Sequence, residues 1–360
     1  MSHNCTLCPV NCGADREKTE GACGGGLYAR VAKYGLHPYE EPCISCGAGS
    51  GTVFFSGCAL RCAFCQNHEI SRAAIGKEYD AKGLAGIFRE LEEMGAANIN
   101  LVTAAHYIPQ LAAAFAVYRP KIPVVYNTHA YEKPEALRAI DRYVDVYLPD
   151  LKYFSPKISE RYTGNADYFD VAFPAVKFMA ARKVSFDGER MVTGCIVRHL
   201  ILPLCTDDSV RIVRAFASLG SEAYFSLMGQ YTPCQETPYP ELSRRITPRE
   251  YKKVLAAVRE CGLERVYLQD ISSANAGYVP DFSGRTQTLF PSDGAKPAGG
   301  CARFTFARTA SSVLPACARA ARPLRAARRR AALPARRSPP LSLSSCRYFA
   351  ETDDFYVSDV

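Results

Sequence analysis

Between residues 51 and 270 the chain alternates short apolar segments with segments of helical apolar spacing, and this alternation constrains the fold more than any other feature. Residues 52–55 form an apolar run of strand length, whereas the apolar residues of 81–94 recur at helical spacing. Further strands are predicted at residues 99–103, 124–127, 144–148, 191–202, 223–228 and 265–270, and helices at 107–118, from 133, at 168–181, at 208–219 and from 248 to 261. Parallel strands need helical crossovers that cover the sheet, so the pattern predicts an α/β fold with a parallel sheet.

Three cysteines, Cys58, Cys62 and Cys65, follow the first predicted strand with the spacing Cys-x3-Cys-x2-Cys. Three thiolates this close together suit a soft metal centre, most naturally an iron–sulfur cluster. A closed zinc site or an ordinary four-iron cluster would take four protein ligands. A cubane held by three thiolates leaves one iron open to a small molecule that offers an amine and a carboxylate. The alternative interpretations are a zinc-binding loop and unliganded thiols.

This spacing and the later motifs resemble the radical S-adenosylmethionine (SAM) superfamily, in particular its pyruvate formate-lyase activating enzyme-like branch. The segments that carry the resemblance are residues 54–58, 65–71, 100–103, 125–132, 145–153 and 196–203. The resemblance covers residues 5 to 282 and implies a partial (β/α)6-type barrel over residues 47–282, an open relative of the eight-stranded barrel. Reactive residues are then expected at the C-terminal ends of the strands. A cysteine-rich N-terminal extension over residues 1–46 precedes the predicted barrel.

The resemblance also implies an enzyme, a radical SAM oxidoreductase with a [4Fe–4S] cluster and SAM as cofactors. The reduced cluster cleaves SAM to methionine and a 5′-deoxyadenosyl radical, which takes a hydrogen atom from the substrate. In the nearest characterised relatives that substrate is a glycine Cα of a glycyl radical enzyme, and the electron donor is a protein such as flavodoxin or ferredoxin. The alternatives are an iron–sulfur electron carrier or scaffold without SAM turnover, and a radical SAM enzyme acting on a different protein or small molecule.

The resemblance assigns the cluster to Cys58, Cys62 and Cys65, and no catalytic residue is predicted beyond these ligands. Asp150 and Lys152 are two apart at a strand end and should point to one side of the sheet. The resemblance associates this Asp-x-Lys pattern with SAM binding, whereas the alternative is a structural ion pair at the barrel rim. Further candidates for SAM binding, at or near other strand ends, are Thr103, Asn127, Thr128 and, more weakly, Arg198.

The N-terminal segment carries a second group of cysteines, with the spacing Cys5-x2-Cys8-x3-Cys12-x10-Cys23. Four thiols with one short Cys-x2-Cys pair can close around zinc or a second iron–sulfur cluster. They can equally be buried, inert thiols. The sequence leaves these three readings open.

Composition and charge limit the partners. Residues 283–360 hold 13 Lys and Arg against 5 Asp and Glu, which accounts for the net charge of +8 and leaves 31 of each sign in residues 1–282. The predicted barrel therefore gives no electrostatic reason to expect nucleic acid or an anionic membrane as partner. Residues 283–360, a basic and low-complexity tail, are predicted to be disordered.

The 16 cysteines help to predict the cellular compartment of the protein. The start of the chain lacks a basic region followed by an apolar core, so no secretory signal is predicted, and no apolar run approaches the length of a membrane span. Cysteines in such a chain favour metal ligation and free thiols over a disulfide framework. We expect the protein in the reducing cytoplasm.

Overall fold

A computed structural model describes residues 4–269, 271 and 282, together with the backbone of residues 304–306. All of these belong to one compact unit, residues 1–310. The strands of the described part are β1 (Ala29–His37), β2 (Ser50–Phe55), β3 (Lys77–Tyr79), β4 (Ile99–Val102), β5 (Val124–Thr128), β6 (Val146–Pro149), β7 (Ser185–Asp187), β8 (Arg190–Leu200), β9 (Tyr224–Met228), β10 (Val266–Gln269) and β11 (Phe304–Phe306). The helices are α1 (Pro42–Ser45), α2 (His68–Arg72), α3 (Ala81–Glu93), α4 (Ile108–Val117), α5 (Pro134–Ile140), α6 (Pro156–Thr163), α7 (Tyr168–Ala180), α8 (Thr206–Ala217) and α9 (Pro248–Glu260).

A parallel sheet forms the centre of the fold, with strand order β2-β4-β5-β6-β8-β9-β10. Every residue of β2, β4, β5 and β6 is buried, as expected for strands covered on both faces. Helices α3, α4, α5, α7, α8 and α9 lie between successive parallel strands in the chain. The predicted α/β fold with a helix-covered parallel sheet is confirmed, and each predicted strand and helix is present with small changes at its ends.

The covering helices begin where the sequence predicts and turn their apolar faces to the sheet. Helix α3 buries Leu84, Phe88 and Leu91, and the Asp80 side chain accepts a hydrogen bond from the Gly83 N–H at 2.8 Å. Thr247 caps α9 and forms a reciprocal capping box with its Glu residue three positions later. These local contacts fix where each crossover leaves the sheet.

Strand β1 was not predicted from the sequence. It lies within residues 1–46, the segment predicted as an extension, and pairs antiparallel with β2 and β3. Its residues alternate between buried and partly buried positions, as in a half-covered strand. The buried face includes Lys33 and His37, so the apolar alternation that normally marks such a strand is broken.

The other end of the sheet also differs from expectation. Residues 304–306, inside the predicted disordered tail, form β11 and pair antiparallel with β10. The remaining tail residues lie outside the described part of the chain. Near them in sequence, the Phe282 ring packs edge-on against Phe54 of β2, with ring centroids 5.4 Å apart. None of the described helices combines the length and apolar character needed to cross a membrane.

A buried carboxyl group, Glu132, lies just beyond the end of β5. The Tyr126 hydroxyl donates to Glu132 Oε2 at 2.8 Å, and the Thr128 hydroxyl contacts the other carboxyl oxygen. Burial raises the pKa of Glu132 to about 7, although both hydroxyl contacts oppose the shift. The folded protein therefore retains a proton that the unfolded chain loses between pH 4.5 and about 7.

We expect this proton to make stability pH-dependent. Because the folded-state pKa is raised, its contribution to the free energy of unfolding is present at low pH and is lost as pH rises towards 7. Glu132→Gln, which imitates the neutral carboxyl group, should lack this fall in stability. Urea unfolding at pH 5 and pH 8 measures it, with Glu135→Gln, an exposed site on α5, as the control. Equal pH dependence in all three proteins would contradict the assignment.

Candidate active site

A cavity of about 230 Å³, here called the main cavity, lies at the C-terminal ends of the parallel strands. Residues at or just beyond the ends of β2, β4, β5, β6, β8, β9 and β10 line it. They include Cys58, Cys62, Cys65, Thr103, Asn127, Thr128, Asp150, Lys152, Arg198, Gln230 and Gln269. All nine residues predicted for the cluster and for SAM therefore border one cavity, at the end of the sheet where a barrel fold is expected to carry its chemistry.

The three cysteines lie on the loop of residues 56–67, here called the cysteine loop. Cys58 and Cys62 are buried, and Cys65 is partly buried. Gly57 starts the loop with φ +88°, and a Cβ atom there would lie 2.2 Å from the Cys23 carbonyl oxygen. Only glycine fits this turn, because it adopts positive φ without strain and adds no side chain.

Phe64 anchors the cysteine loop between its second and third cysteines. Its ring meets those of Tyr153, Tyr162 and Tyr231 edge-on, with centroids 6.1, 6.2 and 6.3 Å away. Beside it, the Ala63 N–H donates to the Tyr162 carbonyl at 2.9 Å. Such aromatic contacts fix the loop backbone and so the directions of the neighbouring thiols.

The donor set of the cysteine loop fits an iron–sulfur cluster with one open iron. Burial raises the pKa of Cys58 to about 11 and of Cys62 to about 12, while the nearby Lys152 ammonium opposes both shifts. The thiols are therefore protonated until a metal centre displaces their protons. No fourth cysteine is found among the described residues that line the main cavity.

A network of charged groups forms the opposite part of the cavity wall. Asp150 Oδ2 accepts from Lys152 Nζ at 2.7 Å, and Asp150 Oδ1 accepts from Arg198 Nε at 2.8 Å. Arg198 also donates to Asn127 Oδ1 at 2.6 Å and forms an ion pair with Glu40 at 3.3 Å. Burial alone would raise the pKa of Asp150, but the two cations outweigh it and hold that pKa at about 2.

The residues predicted to bind SAM differ in how far their side chains are already engaged by other protein groups. Asp150 and Lys152 form the ion pair that the alternative interpretation expected, yet both also line the cavity. The Thr128 hydroxyl is engaged by Glu132 and by the Ala130 N–H, so its side chain is already committed. Thr103 lines the cavity with φ +59°, an unusual value for a β-branched residue that is typical of functional sites.

Sequence reasoning missed several residues of the cavity wall. The missed residues come from the N-terminal segment: His37 ends β1, and Tyr39, Glu40 and Glu41 follow it. Glu40 accepts from the Asn100 side chain at 2.9 Å as well as pairing with Arg198. Two adjacent acidic residues, Glu40 and Glu41, could have indicated a polar site. Their place beside the cavity depends on β1, which the sequence pattern does not predict.

The described part of the chain thus combines a helix-covered parallel sheet with three thiols and a charged wall at its C-terminal end, the arrangement expected of a radical SAM barrel. Residues 52–216 match the family model described as the radical SAM superfamily. Over this stretch the chain is similar to the radical SAM superfamily, as its motifs predict. The family implies an enzyme that uses a [4Fe–4S] cluster and SAM, which confirms the predicted superfamily and its cofactors.

Individual proteins similar to this chain share low sequence identity with it. The chain is 28% identical over 275 residues to an uncharacterized protein of Methanocaldococcus jannaschii, covering 73% of this chain and 77% of that one. A domain of pyruvate-formate lyase-activating enzyme from Bacteroides vulgatus matches at 10% identity and TM-score 0.32, covering 53% of this chain and 91% of the domain. Streptococcus suis SuiB bound to S-adenosylmethionine matches at 14% identity and TM-score 0.38, covering 61% of this chain. The match spans 47% of SuiB, about half its length.

Replacing Phe64 by alanine should disorder the cysteine loop. We expect a loss of about 3–5 kcal/mol in the free energy of unfolding, as for other buried aromatic truncations, and a lower iron content after anaerobic reconstitution. Phe186→Ala, at a ring that is 39% exposed, is the matched control and should change both quantities far less. Normal iron content and stability in Phe64→Ala would show that the aromatic contacts do not hold the loop.

Proposed function

We propose that Cys58, Cys62 and Cys65 hold the [4Fe–4S] cluster, that the charged wall of the main cavity binds SAM, and that the substrate is a glycine Cα of a glycyl radical enzyme. The observation that carries the first two assignments is the presence of all these side chains around one cavity. The third rests on the motif resemblance to the pyruvate formate-lyase activating enzyme-like branch.

The second candidate is a radical SAM enzyme acting on a different protein or small molecule. Such a substrate, like the proposed glycine Cα, would meet the radical at the main cavity, which lies at the C-terminal ends of the strands.

When bound, the cluster and SAM supply the difficult chemistry, a one-electron cleavage that yields methionine and a 5′-deoxyadenosyl radical. The chain's own residues would bind and orient SAM and would shield the cluster from water. Lys152 offers an ammonium to a carboxylate, and Asp150 offers acceptor oxygens to ribose hydroxyl groups. Arg198 acts through Asp150, because its guanidinium already bonds Asp150, Asn127 and Glu40. The buried thiols and aromatic rings around the cysteine loop exclude water from the cluster.

The proposed reaction needs a low-potential electron. We infer a cytoplasmic flavodoxin or ferredoxin as donor. The described barrel residues give no reason to add a membrane or nucleic acid to these partners. An electron carrier or scaffold, the non-enzymatic alternative, would hold a cluster without cleaving SAM, so SAM turnover separates the two.

The decisive experiment is anaerobic incubation of the reconstituted protein with SAM and dithionite. We expect 5′-deoxyadenosine from the wild type and none from Cys58→Ala, Cys62→Ala or Cys65→Ala, because each variant removes one of the three thiolates that would hold the cluster. Cys261→Ala, at the end of α9, is the control and should retain activity. Product from the variant with all three cysteines replaced would refute the cluster assignment.

The same mixture tests the substrate when purified glycyl radical enzymes, including pyruvate formate-lyase, are added in turn. A glycyl doublet in the electron paramagnetic resonance spectrum supports the proposed substrate. SAM cleavage without a doublet from any of them would move the substrate to the second candidate and leave the cluster assignment intact.

Asp150→Ala and Lys152→Ala should each weaken SAM binding about ten- to a hundredfold, because a lost charged hydrogen bond is worth roughly 1.5–3 kcal/mol. The absorption spectrum of the cluster should remain. Equilibrium dialysis with labelled SAM measures the affinity, and Asp187→Ala, which breaks the exposed ion pair with Arg190, is the control. Unchanged affinity in both cavity variants would favour a purely structural ion pair.

A further inference from the structure

A second and much smaller void lies under the N-terminal segment, and four thiols line it. This N-terminal void measures about 10 Å³, and Cys5, Cys8, Cys12 and Cys23 all border it. Its other lining residues are Leu7, Val10, Arg16, Ala22 and His106, none of which lines the main cavity. The void is therefore separate from the site of the proposed SAM chemistry.

Backbone hydrogen bonds fold the segment so that the thiols face one another. The Gly13 N–H donates to the Cys5 carbonyl at 3.0 Å, the Cys5 N–H to the Ala14 carbonyl at 3.1 Å, and the Asn11 N–H to the Cys8 carbonyl at 3.1 Å. All four cysteines are free thiols. Cysteines 18 residues apart in sequence are thus gathered at one place without a disulfide.

We propose that the N-terminal void binds one zinc ion through the thiolates of Cys5, Cys8, Cys12 and Cys23. Four sulfur ligands make the closed, tetrahedral set of a structural zinc site, in contrast to the three of the cysteine loop. The small volume favours zinc over a second cluster. About 10 Å³ is room for roughly one water molecule, whereas a four-iron cluster would force the segment apart.

Zinc binding requires a small contraction of the thiols. Within the described residues, no three His, Cys, Asp or Glu side chains are already close enough together to hold a single ion. Cys5, Cys8 and Cys12 are only partly buried and lie outside helices and strands, so the contraction would fall on them, while Cys23 is buried.

A buried cation beside the void is the second, independent observation. Arg16 is 8% exposed, and its guanidinium donates to Cys23 Sγ at 3.3 Å and to the His106 carbonyl at 2.6 Å. These partners are a thiol and a carbonyl rather than a carboxylate. A buried charge needs a counter-charge, and four thiolates around Zn²⁺ carry a net double negative charge, of which Arg16 would offset one unit.

The site would brace the cysteine loop from outside the main cavity. The Cys23 carbonyl lies against Gly57, and the Arg61 guanidinium donates to the Ala22 carbonyl at 2.8 Å. His106 bonds the Ser56 carbonyl at 2.8 Å. A zinc ion that fixes Cys23 therefore fixes the backbone on which the start of the cysteine loop rests.

The test uses the full-length Cys58→Ala, Cys62→Ala, Cys65→Ala variant, which removes the ligands proposed for the radical SAM cluster. Elemental analysis should find about one zinc per chain, and X-ray absorption at the zinc edge should show four sulfur neighbours at about 2.3 Å. Absence of zinc, four irons in its place, or nitrogen and oxygen neighbours would overturn the proposal. SAM cleavage is not part of this readout. A failure of the zinc proposal therefore leaves the proposed function untouched.

A second variant locates the ion. Cys8→Ser combined with Cys12→Ser should lose the zinc and lower the midpoint of thermal unfolding, whereas Cys261→Ser should keep both. Zinc retained in full by the Cys8, Cys12 variant would place the metal elsewhere and refute the assignment. If that variant does not fold, the zinc-edge spectrum of the first variant still decides.

Discussion

The carboxylate of Asp150, shared between Lys152 and Arg198, is the interaction on which the rest of the site depends. Asp150 and Arg198 also face each other in a bridge between neighbouring parallel strands, and the Leu151 N–H donates to the Arg198 carbonyl at 2.9 Å. Through Arg198 the network reaches Asn127 on β5 and Glu40 of the N-terminal segment. Any one of these buried charges alone would be costly, so the strand ends and the segment that covers them hold one another in place.

One group of cysteines lies on the cysteine loop and the other in the N-terminal segment beside it. The two groups differ in number for a chemical reason. Three thiols on the cavity side leave a coordination position for a cofactor, while the four proposed zinc ligands would close their site completely. Gly57 lies where the two meet, since it precedes Cys58 and touches the Cys23 carbonyl. On this view the N-terminal segment has two tasks, a metal-bound support at Cys23 and a polar contribution to the cavity wall at Glu40.

The sequence allowed much of the fold to be predicted, because each parallel strand is a continuous apolar run and each helix has its own period. It also identified nine residues of the cavity wall from local motifs, such as the spacing of Cys58, Cys62 and Cys65. It did not predict β1, whose buried face includes Lys33 and His37. Nor did it predict the role of Glu40, since the pairing with Arg198 joins positions far apart in the chain.

The contact between Phe54 and Phe282 forms late in synthesis, after the cysteine loop has left the ribosome's active centre. Phe54 lines the main cavity, and the ring that covers it comes from residue 282, long after the cysteine loop has been synthesised. At roughly 5–20 residues per second, the ribosome needs about 10–40 s to travel from Cys65 to that ring. During this interval the three thiols exist without the ring that packs on Phe54 behind their cavity.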